Sequence, residues 1–305
     1  MNTFLAIIPI FLVIVAGYGL RALHIVKPSW ISALNGFVYY VALPALIIQS
    51  FTGLAWREPA VGQALLANLG LVVVSAIVLA TSLRLSRLSR KLQAAIFLVG
   101  LVGNTVYLGI PVAAATLPTN QPSLTAAIST VQLVASMVVA LIAIEWIFLG
   151  SRNASRITGS LIRNPLMIAL ALGLILSFVP LPSSLNTFLN PALKLLAVTA
   201  SPVALFALGA FLHGHARPRQ LGLILTASSI KLIALPLLAL FLLPFLGMHT
   251  AGLAPSVLLA AMPTAVTAFV LAETYKLDRQ FAAAVMVATT IISLVTLPLI
   301  ARFIG

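Results

Sequence analysis

The sequence predicts an all-α integral membrane protein of ten transmembrane helices, built as two inverted sets of five. Three observations predict it. Of 305 residues, 62% are hydrophobic and 7% charged, and the mean hydropathy is +1.18. A soluble domain carries about 25% charged residues and could not hide that much apolar surface, so the solvent must be lipid. Apolar stretches long enough to cross a ~30 Å hydrocarbon core, which takes ~20 residues, recur along the chain. Two of those stretches are broken at mid-length, at corresponding places in the two halves.

The first span, 3–20, opens without a basic n-region or an obvious cleavage site and reads as a retained helix. The second, 31–52, carries Gln49 and the run Leu43-Pro44-Ala45-Leu46; the third, 63–83, carries Asn68. The fourth, 93–117, holds the first break, Gly103-Asn104-Thr105-Val106-Tyr107-Leu108-Gly109-Ile110-Pro111. The fifth, 124–149, contains Gln132 and Glu145, and the sixth, 166–179, is short. The seventh, 192–212, carries Ser201-Pro202-Val203-Ala204-Leu205. Its Lys194 lies a few residues inside the start, where a lysine snorkels outward. The eighth, 221–246, contains Lys231. The ninth, 253–272, holds the second break, Met262-Pro263-Thr264-Ala265-Val266-Thr267-Ala268, and the tenth covers 281–303.

The basic residues orient these spans. Odd-numbered loops hold Arg21 and Lys27, then Arg84 to Lys91, then Arg152 to Arg163, then Arg217 and Arg219, then Lys276 and Arg279. Arg57 and Arg302 alone fall on the opposite side. The positive-inside rule places both termini outside the cytoplasm. The net charge of +13 is thus a topology signal and does not point to nucleic acid. There are no cysteines, which excludes disulfides.

Residues 1–150 form the first five-helix repeat, 151–163 a cytoplasmic linker, and 164–305 the second repeat. An odd number of spans per repeat makes the halves insert in opposite orientations. Paired interruptions in such repeats point to a transporter site near the bilayer midplane.

At these residues the chain resembles the auxin efflux carrier family, which includes plant auxin carriers and bacterial malonate permeases. The resemblance covers essentially the whole chain. Its most specific parts are Gly103-Asn104 with Leu108-Gly109-Ile110-Pro111, Ala261-Met262-Pro263-Thr264-Ala265, and Phe269-Val270-Leu271-Ala272. Thr267 stands where an asparagine is common in the family. The resemblance implies an elevator fold related to bile-acid carriers and sodium–proton antiporters. Spans one, two, six and seven would form a scaffold that mediates a homodimer. Spans three to five and eight to ten would move, with spans four and nine crossing at the site. It implies organic anions as substrates and a compact bacterial form in the inner membrane.

Proline suits the first turn of a new helix, so Pro111 and Pro263 are expected to start half-helices. Two helix starts would offer open amides and partial positive charge to a carboxylate. Asn104, Thr105, Thr264 and Thr267 would add hydrogen bonds, and Gly109 would allow close backbone approach. The competing reading is a pair of proline kinks used only for packing, with the threonines bonded back to their own helices.

Lys231 falls about 16 Å into its span at ~1.5 Å per residue. A lysine there is costly and should face a cavity or a partner. It is a candidate for charge near the anion or for proton coupling, against a structural pairing. Glu145 and Glu273 lie near cytoplasmic span ends. Pairing with Arg152 or Lys276 competes with a role in proton relay. Asn68, Gln49 and Gln132 either bond between helices or line the pathway. His213 and His215 make a weak metal motif, so neither metal nor cofactor is expected. No phosphate-binding loop and no catalytic constellation is present, which argues against an enzyme. The expected function is a secondary transporter moving a small organic anion by alternating access, with proton coupling. The alternatives are a non-transporting membrane sensor on the same fold and a sodium-coupled carrier.

Overall fold

The computed structural model describes residues 3–117, 121–150, 159, 161–179, 182–214, 220–248 and 252–304. Its helices in order are α1 (Thr3–Ala22), α2 (Pro28–Thr52), α3 (Pro59–Leu85), α4 (Arg90–Leu101), α5 (Thr105–Thr116) and α6 (Pro122–Phe148). They continue with α7 (Pro165–Phe178), α8 (Ser183–Leu212), α9 (Leu221–Phe245), α10 (Leu253–Ala260), α11 (Val266–Thr274) and α12 (Arg279–Ile304). Seven of them, α1, α2, α3, α6, α8, α9 and α12, are long and apolar enough to cross a membrane. Helix α7 is shorter, and the remaining four are the fragments of the two broken segments.

Proline shapes three of these helices in the same way. Pro44, Pro111 and Pro236 each follow, at the same offset, a widened π turn: Val38–Ala42, Thr105–Gly109 and Ile230–Ala234. A proline has no N–H to give to the carbonyl four residues back, and its ring pushes against that carbonyl. Widening the preceding turn lets amides reach five residues back instead, as Leu43 N–H does to the Val38 carbonyl. The helix bends without being cut.

The most extensive helix pairings fall into two sets. Helix α1 lies along α8, and α2 lies against α7 and α8. Helix α3 packs on α6, and α9 packs on α12. The largest buried cluster joins Phe51, Leu79, Phe97, Leu98, Met137 and Val285. The α1–α8 contact depends on two glycines. A Cβ on Gly17 would land on the Phe206 carbonyl oxygen, and one on Gly209 would land on the Ile14 carbonyl oxygen. Neither backbone can yield easily, so the two helices touch main chain to main chain, as small residues permit in membranes.

Gly209→Ala is therefore expected to destabilise the protein by about 1–3 kcal/mol through overpacking. Gly19→Ala is the control, because nothing lies within 4 Å of a Cβ there. Thermal unfolding in detergent compares the two. Equal midpoints would show that this contact does not hold α1 to α8.

Candidate functional site

The two broken segments meet at their breaks. Helix α4 ends at Leu101 and α10 at Ala260; α5 begins at Thr105 and α11 at Val266. Between the fragments, Gly103 and Thr264 pair as a single antiparallel bridge. Asn104 N–H donates to the Pro263 carbonyl at 2.7 Å, and Ala265 N–H donates to the Val102 carbonyl at 3.1 Å. The Thr264 hydroxyl donates to the Val99 carbonyl at 2.8 Å, and its N–H donates to the Thr289 hydroxyl at 3.2 Å. The Thr105 hydroxyl donates to the Ser129 carbonyl of α6 at 3.0 Å. Unwound backbone is tolerated here because it is buried in protein and each segment supplies partners to the other.

This geometry revises how the prolines act. Pro111 does not start a half-helix. Helix α5 has already begun at Thr105, capped by Asn104, whose carbonyl accepts from Leu108 N–H and Gly109 N–H. Pro263 precedes the start of α11 by three residues and supplies a carbonyl to the bridge. Gly109 serves packing: a Cβ there would come within 2.5 Å of the Leu259 Cδ2 of α10. Thr267 lies half-buried in the first turn of α11.

The two ends of each break differ electrostatically. The carbonyls at the ends of α4 and α10 carry partial negative charge. Val99 and Val102 are already engaged, and Lys231 covers the Ala260 carbonyl at 3.4 Å. The starts of α5 and α11 carry partial positive charge, and the first-turn amides of Thr105, Val106, Val266 and Thr267 have no intrahelical acceptor. Asn104, only 2% exposed, sits between these starts with its side-chain oxygen unpartnered. A buried unpaired amide costs about 1–3 kcal/mol. An amide can turn a donor or an acceptor toward a ligand. At the crossing several carbonyls of the negative ends are thus engaged, while the first-turn amides of the positive ends lack an intrahelical acceptor.

Lys231 is 2% exposed and lies in the widened turn of α9. Its ammonium packs on Gly103, where a Cβ would come within 2.7 Å of Nζ. It also borders a cavity of about 30 Å³ with Ser75, Thr105 and Gln132, room for about one or two waters. Among the described residues no carboxylate pairs with it. Asn68 and Gln132 bond between helices: Gln132 Nε2 donates to Asn68 Oδ1 at 2.8 Å, and Asn68 Nδ2 donates to the Ser256 hydroxyl at 2.8 Å.

The two glutamates are not brought to the crossing. Glu273 is on the surface and pairs with Arg279 at 2.7 Å, in place of the expected Lys276. Glu145 is buried in the last, widened turn of α6, near the basic loop; Arg152 lies outside the described residues. His213 stacks edge-on to Tyr18 with ring centres 5.3 Å apart, and His215 lies outside the described residues. Among the described residues no group of three metal-binding side chains occurs.

Sequence reasoning missed one polar element. A cleft of about 720 Å³ separates α2, α7 and α8 from α5 and α6, and Gln49, Asn186, Asn190 and Lys194 line it. Helix α8 begins at Ser183, nine residues before the predicted start. Lys194 is therefore about 16 Å along its helix at ~1.5 Å per residue, and it is exposed. The signal was in the sequence: Asn186, Asn190 and Lys194 repeat at intervals of four, one helical face. The run 183–191 is rich in serine and asparagine, so its composition does not mark it as membrane helix.

Residues 3–301 match the family model described as membrane transport protein. The chain is also 28% identical, over 95% of its own length and 92% of the relative's, to a Rhizobium meliloti (strain 1021) protein named "Putative malonate transporter".

The bonds at the crossing generate a stability test. Thr264→Val removes the donor to the Val99 carbonyl and should destabilise the fold by about 1–3 kcal/mol. Thr267→Val breaks no such bond among the described residues and should stay within about 0.5 kcal/mol of the parent. Chemical or thermal unfolding in detergent reads both; equal losses would mean the Thr264 bond contributes nothing.

Proposed function

The chain belongs to the membrane transport protein family, the auxin efflux carriers that its motifs resemble, and from that premise we propose that it is a secondary transporter moving a small organic anion by alternating access. The family is one of carriers, not of enzymes. The observation that carries the substrate class is the crossing. Two helix starts lie at the breaks beside Asn104, whose side-chain oxygen is unpartnered, while the Lys231 ammonium stands on the Ala260 carbonyl of an opposing end. That arrangement favours a carboxylate without using an arginine. We assign substrate contacts to the Asn104 side chain, the Thr267 hydroxyl and the first-turn amides of Thr105, Val106, Val266 and Thr267; the Thr105 and Thr264 hydroxyls already donate to the Ser129 and Val99 carbonyls, so these side chains and Pro263 hold the crossing together. Gly109 and Pro111 shape the helix that presents them. The relative's name makes malonate the first probe.

Helix packing supports five-plus-five inverted repeats over 1–150 and 164–305. Exchanging the halves turns the α1–α8 contact into the α2–α7 contact, and the α3–α6 contact into the α9–α12 contact. In this reading α1, α2, α7 and α8 are the scaffold of a homodimer, and the remaining helices travel with the crossing. The basic loops face the cytoplasm of a bacterium and the chain sits in its inner membrane, both termini outside.

The break carbonyls bear on the coupling ion. Sodium would need several free oxygens, and four of the break carbonyls, those of Val99, Val102, Ala260 and Pro263, are each engaged by a donor of the protein. A proton is the better candidate, with Lys231 as the group that exchanges it. Glu145 and Glu273 lie away from the crossing and have no part in this proposal.

Transport into liposomes tests the reading. Malonate and other carboxylates should give saturable uptake. Asn104→Ala should weaken apparent affinity about ten- to a hundredfold, as expected for about 1.5–3 kcal/mol lost from a hydrogen bond to a charged group. Wild-type affinity in that variant would remove Asn104 from the site. Lys231→Ala should lower the rate or change its pH dependence, and both unchanged would leave Lys231 structural. Replacing sodium by choline should not alter uptake; a strict sodium requirement would overturn the coupling proposal. Absence of both uptake and ligand-induced thermal stabilisation would favour the sensor alternative.

A further inference from the structure

The large cleft beside α8 has no role in the crossing as described, and none of the residues proposed for the site lines it except through the neighbouring Ile110 of α5. It opens between the C-terminal ends of α2 and α7 and the N-terminal ends of α6 and α8. Its polar wall is a stripe on α8, Asn186, Asn190 and Lys194, facing Gln49 and Thr52 of α2 and Ser123 of α6. Asn186, Asn190 and Lys194 are exposed on the cleft side of α8, where polar side chains are free to meet water or a polar ligand. Among the described residues the lining contains one cation and no carboxylate. Leu46, Leu176, Leu189 and Leu193 supply an apolar side. At about 720 Å³ the cleft falls within the range of sites that enclose a small organic ligand, roughly 300–1,000 Å³.

We propose that this cleft is a second, outer binding site for a small organic carboxylate. The Lys194 ammonium holds the charged group, the amides of Asn186, Asn190 and Gln49 orient it, and the leucines take its hydrocarbon part. This rests on the carrier reading for its biological use, where the site collects the anion before it reaches the crossing past Ile110. Its binding chemistry stands without that reading. A lone ammonium among amides fits a single carboxylate end better than it discriminates between chain lengths. The outer site therefore accepts several carboxylates, and selection falls to the crossing.

The chain has no cysteine, so Asn190→Cys introduces a single thiol. In nanodiscs of zwitterionic lipid, a membrane-impermeant maleimide should label it. Acetate, malonate, succinate or indole-3-acetate should slow labelling at least threefold. Adding Lys194→Gln should abolish that protection, and adding Lys194→Arg should keep it. Protection by none of the four, or protection that survives Lys194→Gln, overturns the proposal. Slowing by anionic lipid alone, with no effect of the carboxylates, would identify a lipid headgroup as the occupant and overturn it equally. In liposomes, Lys194→Gln should raise the KM for uptake at least fivefold while leaving the maximal rate near the parent's. An unchanged KM would sink the outer site as a feeder. Protection without any uptake in the parent would keep the outer site and reject the carrier reading instead.

Discussion

Lipid offers no hydrogen bonds, and the architecture of this chain follows from how it meets that constraint where its helices stop. Carbonyls and amides freed at a break must find partners within the protein, in water or in a ligand. Here the breaks satisfy each other. Asn104 gives its amide hydrogen to Pro263, Ala265 gives its own to Val102, and the Thr264 side chain donates to the Val99 carbonyl. Neither interrupted segment could be stable at that depth alone. The requirement fixes which residues cross, how closely, and which main-chain groups are left over for anything else.

Polar side chains inside the bundle follow the same economy. Asn68, Gln132 and Ser256 form a linked set across three helices, while Lys231 leans on the end of α10 and on Gly103. Only a residue without a side chain leaves room for the ammonium there. The glycine of the Gly103-Asn104 motif thus has a steric reason tied to a lysine far away in sequence, and the asparagine beside it is left with an oxygen that no part of the described protein satisfies.

Much of this was legible from residue order. Apolar runs located the long helices to within a few residues at most ends, because a hydrocarbon slab imposes a length that composition must meet. The two breaks were legible because small, hydroxyl and proline residues cluster where an uninterrupted helix should run. What they do was less so. Pro111 reads as a helix start, but the chain absorbs it in a widened turn, a choice made by hydrogen-bond register and not by residue type. Glu273 reads as a candidate inside a span, yet its helix ends in a loop where Arg279 reaches it. The length of α8 was underestimated because its first turns carry polar residues that face the cleft, and only packing reveals that a polar face has somewhere to go.

The two amide–carbonyl bonds at the crossing have a consequence for thermodynamics. They tie the starts of α5 and α11 into one unit, so any displacement of the crossing takes both together and leaves the distances between its donors unchanged. A ligand held there would keep the same first neighbours throughout such a displacement. Its intrinsic binding free energy would then be nearly equal at the two extremes of travel. A device of that kind has no built-in direction, and the sign of its net flux is set entirely by the electrochemical potentials on either side.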